Sequence, residues 1–144
     1  MKKFSLLFLF SLLFWAGKSQ DFSHIALDNR IYTDDIYSVK LCPADKYFGT
    51  PIIKLNSGEQ LRLVFDHLGD YDEYMKYTLI HCSHDWQLSP MNPLEYLDGF
   101  MEDEITDNSY SFNTITGYTH FELLLPNDLL RITKSGNYIL FVYD

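Results

Sequence analysis

A two-residue alternation of apolar and polar side chains governs this chain from residue 36 onward. In the stretch Gln60–Asp66, Leu61, Leu63 and Phe65 alternate with Arg62 and Asp66, and in an extended strand such residues point to opposite faces. The pattern recurs in Ile36–Cys42, Tyr74–Cys82 and Tyr118–Leu124, where Phe121, Leu123 and Leu125 share one face. Pro51–Leu55 and Gln60–Asp66 flank Asn56-Ser57-Gly58-Glu59, turn residues that make this the clearest predicted hairpin. Asn108–Asn113 pairs with Tyr118–Leu124 around Thr114–Gly117. The final run, Asn137–Tyr143, is apolar on both sides, as in a strand covered on both faces.

These runs amount to about seven strands with short turns, no internal repeat and no strongly amphipathic helix. They predict an all-β fold, an immunoglobulin-like antiparallel β-sandwich. The 11 Tyr and 11 Phe suit pleated surfaces, where aromatic rings pack well. Ser135-Gly136-Asn137-Tyr138 suits a tyrosine corner, in which an early Tyr of strand F bonds back to nearby backbone. If Asn137–Tyr143 is strand F, the sandwich requires one further strand. The chain is therefore expected to be a fragment or to lack its last edge strand, leaving the ladder of Asn137–Tyr143 exposed.

Residues 1–19 combine Lys2 and Lys3, an apolar run from Phe4 to Ala16, and small residues at Gly17 and Ser19. This is the pattern of a cleaved signal peptide, with cleavage before Gln20. The apolar run is 13 residues, short for a bilayer span. No cysteine follows it to carry a lipoprotein anchor. Residues 20–35 are read as a polar lead-in and 36–144 as the sandwich domain.

Without Lys2, Lys3 and Lys18, 8 basic side chains face 20 acidic ones, and the net charge moves from −9 to −12. Such a surface repels phosphate backbones, which argues against nucleic acid as a partner. It favours solubility and steering toward basic protein surfaces. Export would place Cys42 and Cys82 in an oxidising compartment. Alternation sets Cys42 opposite Tyr37, Val39 and Leu41, and Cys82 opposite Met75, Tyr77 and Leu79. Both thiols then reach one outer sheet face if their strands are neighbours, which allows a disulfide without implying one.

The stretch His81–Glu104, HCSHDWQLSPMNPLEYLDGFMEDE, interrupts the strand series with a connection longer than compact domains ordinarily use. Pro93–Leu97 has the makings of a short helical turn opened by proline. His81, Cys82, His84 and Asp85 offer zinc-ligand chemistry, yet alternation sends His81 and Cys82 to opposite faces and no second cluster completes a set. No metal or cofactor is expected. Asp98, Glu102, Asp103 and Glu104 supply carboxylates without the placed pair that glycoside hydrolysis needs. Nucleophile-elbow, zincin and phosphate-loop motifs are absent from the sequence, so an enzyme is not expected and no small-molecule substrate is assigned. Trp86, Tyr96 and Phe100 are candidate partner-binding rings, unless they fold back as the loop's own small core.

Three runs together resemble a known family: PIIKLNSGEQLRLVFDHL at 51–68, HCSHDWQLSPMNPLEYLDGF at 81–100 and TKSGNYILFVYD at 133–144. They are similar to the N-terminal domain of the type IX secretion system plug protein of Bacteroidota, and they span most of the chain beyond the signal peptide. The resemblance implies a periplasmic, non-catalytic β-sandwich domain. Its partner would be the outer-membrane β-barrel translocon, whose periplasmic mouth it closes by steric occlusion. The resemblance also implies that family members continue beyond the position of Asp144. Cys42 stands outside the family pattern, which weighs against the disulfide. A periplasmic carbohydrate-binding sandwich is the alternative that exposed aromatic rings allow.

Overall fold

The computed structural model describes residues 28–69 and 74–144. The segment read as a signal peptide and the lead-in up to residue 27 lie outside the described residues. The described chain is all-β, with its antiparallel strands in open sheets: β1 (Ile36–Pro43), β2 (Leu61–Leu68), β3 (Lys76–Cys82), β4 (Leu97–Gly99), β5 (Glu102–Glu104), β6 (Asp107–Tyr110), β7 (Tyr118–Leu125), β8 (Leu130–Ile132) and β9 (Asn137–Tyr143), with one helical turn, α1 (Pro93–Tyr96). A four-stranded sheet has the order β1-β2-β7-β6, a three-stranded sheet the order β5-β3-β9, and β4 pairs with β8. This is the sandwich that the alternation implies.

The core lies where the apolar faces of the two larger sheets meet. Leu63 and Phe65 of β2 and Phe121, Leu123 and Leu125 of β7 are buried from one side, and Tyr77 and Leu79 of β3 from the other. Phe65 and Phe121 stand opposite each other in register and stack at 5.0 Å and 13°, a pairing that adds to the area each ring buries. At full burial each such side chain contributes on the order of 1.5–3 kcal/mol.

The predicted hairpin is corrected. The Asn56–Glu59 turn forms, but Pro51–Leu55 is not a strand and β2 pairs with β1 and β7 instead. Both edges of β2 are thus occupied. The turn is closed by side chains: Glu59 accepts from the Lys54 N–H at 2.8 Å, and the Ser57 hydroxyl donates to the Lys54 carbonyl at 2.7 Å.

The assignment of Tyr37 and Val39 to the buried face of β1 is corrected too. The β1–β2 register shifts between Tyr37 and Lys40, and Ser38 sits at φ 56°. This bulge turns Tyr37 and Val39 out to solvent while Leu41 keeps its inward place. Cys42 and Cys82 do take outer faces, but of different sheets, and both are free and buried.

In the order of described strands β9 stands at an edge, paired with β3. The tyrosine corner forms: the Tyr138 hydroxyl donates to the Lys134 carbonyl at 2.7 Å. The last residues of the lead-in are held by both sheets. Asp35 faces His67 of β2 at 3.1 Å and Tyr32 sits edge-on to Phe141 of β9 at 6.5 Å.

Candidate protein-docking surface

The long connection splits into three parts. After β3, Ser83 and Gln87 close a tight turn with a backbone bond of 2.8 Å, and Trp86 occupies it at φ 60°. The Ser83 hydroxyl donates to Asp85 and holds that carboxyl below its ordinary range. Fixing the turn from within leaves the Trp86 ring half exposed.

Next comes α1. Asn92 caps it by accepting from the Leu94 N–H at 3.1 Å, while Glu95 reaches back to the Asn92 N–H at 2.9 Å, and Pro93 occupies the first helical position. This reciprocal cap satisfies orphan donors in a helix too short to stand on propensity. It delivers Tyr96 into the core. Tyr96 is 4% exposed, donates to the Leu79 carbonyl at 3.3 Å and packs against His81 and Tyr138. Of the three candidate rings, only Trp86 and Phe100 therefore reach solvent.

His81 and Cys82 point to opposite faces, as alternation requires. His81 contacts Tyr96 and Tyr138, and Cys82 is fully buried on the far side, where burial pushes its thiol pKa up. Among the described residues no group of three His, Cys, Asp or Glu is placed to hold a metal.

The third part runs along an open cleft of about 490 Å³ on the side where β5 and β6 pass from one sheet to the other. Asp103 and Glu104 come from β5, Asp107 from β6, Glu122 from β7, and Asp128 from the β7–β8 connection. Tyr77 lies at its buried base, where its hydroxyl receives the Asn127 amide at 2.8 Å. Burial raises the Tyr77 phenol above its ordinary pKa, partly offset by Asn127 and reinforced by Asp103. Leu124 and Leu129 line the cleft and remain well exposed.

Phe100 stands beside this rim. Its N–H donates to the Leu129 carbonyl at 2.8 Å, and a Cβ on Gly99 would meet the same oxygen at 2.2 Å, so only glycine permits the approach at φ 107°. Several carboxylates are engaged, inside the cleft and beside it: Asp103 accepts the Tyr77 hydroxyl at 3.4 Å, Glu122 lies 4.0 Å from Arg62, Asp98 pairs with Arg131 at 2.7 Å, and Glu102 accepts the Tyr143 hydroxyl. An acidic cleft with an apolar rim suits a partner surface that presents basic and apolar groups together. Sequence reading could not assemble it, since its carboxylates come from segments that only the sheet crossing brings together.

The profile of a family described as the type 9 secretion system plug protein 1st domain matches residues 36–144. The chain belongs to this family. A crystal structure of a hypothetical protein from Parabacteroides merdae ATCC 43184 is similar over 78% of the chain, at 36% identity and a TM-score of 0.75. The chain spans 28% of that protein's length. No curated protein matches it. The plug domain thus has a role in type IX secretion, and within its described residues no helix is long and apolar enough to cross a membrane.

Proposed function

We propose that this plug domain is the docking module of a periplasmic protein that closes the periplasmic mouth of the outer-membrane β-barrel translocon of type IX secretion. The observation that carries the reading is the family match over the whole sandwich. The occlusion is steric and without turnover, with Trp86 and Phe100 as contact rings and the acidic cleft beside Phe100 orienting a basic partner surface. The leader at residues 1–19 would deliver the protein to the periplasm.

Affinity purification of the full-length tagged protein from solubilised outer membranes tests this, with a photo-crosslinking amino acid at Phe100 or Trp86. The expected product is a crosslink to the barrel. Recovery of the protein free of any barrel component, at native expression level, would overturn it.

A further inference from the structure

One cross-strand row runs the full width of the four-stranded sheet on its outer face. Lys40 of β1 is in register with Val64 of β2, Val64 with Glu122 of β7, and Glu122 with Asp107 of β6. The row carries a cation at one end and two carboxylates at the other. Asp107 and Glu122 stand directly opposite each other, a like-charge pair that costs stability. Arg62 lies 4.0 Å from Glu122, but no cation pairs with Asp107 among the described residues. The undescribed stretches 20–27 and 70–73 contain no Lys or Arg to supply one. The ammonium of Lys40 is matched no better. It lies over the Phe48 ring at 4.2 Å and the Tyr47 ring at 5.7 Å, with no carboxylate paired to it among the described residues.

The relief of the face follows the same division. Residues 44–48 fold over the β1–β2 half, where the Ala44 N–H donates to the Gln60 carbonyl at 2.8 Å and the Cys42 thiol to the Lys46 carbonyl at 3.3 Å. They bury Cys42 and raise Tyr47 and Phe48 above the sheet, 77% and 82% exposed. Of the charges in this loop, Lys46 adds to the basic half and Asp45 subtracts from it. On the β7–β6 half, Leu124, Ser109 and Asp107 remain exposed.

A raised basic half with apolar rings and a lower acidic half with an exposed leucine complement each other in charge and in shape. The surface that fits this face is therefore the same face of a second copy. Rotation by 180° about an axis along the strands, between β2 and β7, sets Lys40 of each copy against the partner's Asp107. It also lays Tyr47 and Phe48 toward the partner's Leu124. An interface whose two halves exchange roles in this way closes as a dimer and does not propagate.

We propose that two copies pair through these outer faces. The interface takes in Glu122 and Leu124 on one flank of the acidic cleft, so a paired copy withholds that flank from any other partner. Only this consequence rests on the docking role proposed above; the pairing itself stands on the row.

Sedimentation equilibrium of the full-length protein tests the pairing with no barrel component present. The expected result is a monomer–dimer equilibrium that weakens from low to physiological salt, as partly exposed ion pairs are screened. Each substitution enters a two-fold interface twice, so Lys40→Glu and Asp107→Lys should each raise the dissociation constant by about tenfold or more. Combining them restores opposite charges across the interface and should recover the dimer. Both positions are at the surface, and melting curves check that the variants fold. A zero-length carbodiimide link between Lys40 and Asp107 reads the geometry. Within one copy these positions stand three strand spacings apart, about 14 Å, so the link forms only between copies. Monomer throughout at low salt, a dimer indifferent to both single variants, or a double variant that folds without pairing would overturn the proposal. So would links from Lys40 in intact cells to a different protein and none between copies.

Discussion

Gly136 lies directly against the imidazole of His81: a Cβ built on Gly136 would stand 2.2 Å from Nε2 and 3.0 Å from Cδ2. The ring has no room to retreat, because Tyr96 and Tyr138 hold it at centroid distances of 5.5 and 5.0 Å. Gly136→Ala is therefore expected to cost about 1–3 kcal/mol through overpacking, read from urea denaturation. Unchanged stability would mean that the His81 ring is free to move.

Tyr138 closes the corner on Lys134, and burial pushes its phenol pKa up to about 12, with Tyr96 contributing. Tyr138→Phe removes one hydrogen bond and should cost about 1 kcal/mol at neutral pH. The pH dependence has a definite sign. The unfolded phenol ionises near 10 while the folded one stays protonated, so the folded state binds more protons and stability falls as pH rises between about 10 and 12. Tyr138→Phe should flatten that alkaline decline, which melting curves at stepped pH would record.

The rings of the long connection separate by role. Tyr96→Ala removes a core side chain and should destabilise by about 3–5 kcal/mol. Trp86→Ala and Phe100→Ala remove exposed rings and should change stability by less than about 0.5 kcal/mol, while weakening capture of the outer-membrane partner. A large loss of melting temperature in either exposed-ring variant would mark it as structural.

The two cysteines of this chain are 2% and 0% exposed and unpaired. Cys42 and Cys82 should react with a thiol reagent only as the domain unfolds, and reduction should leave its melting temperature unchanged. Rapid labelling of native protein would contradict the burial of both.

Much of the sandwich was legible because long strands bury one face: Leu63, Phe65, Phe121 and Leu123 fall where period two puts them. The corner at Tyr138 was legible from Gly136 and the apolar run behind it. Strands β4, β5 and β8, of three residues each, are too short to show a period. Pro51–Leu55 misled because a good turn followed it, and a turn says nothing about which strands are already paired. The bulge at Ser38 reversed two side chains without leaving a mark in residue type. Trp86 and Phe100 could be picked out as rings, but separating them from Tyr96 required α1, whose cap swings Tyr96 inward.

Conductance of the purified translocon barrel in a planar bilayer, with the full-length protein added on the periplasmic side, tests the central claim most directly. Steric closure requires the open-state current to fall toward zero on addition and to return when the protein is washed out. Current unaffected by saturating protein would contradict the assignment of this domain to a translocon plug.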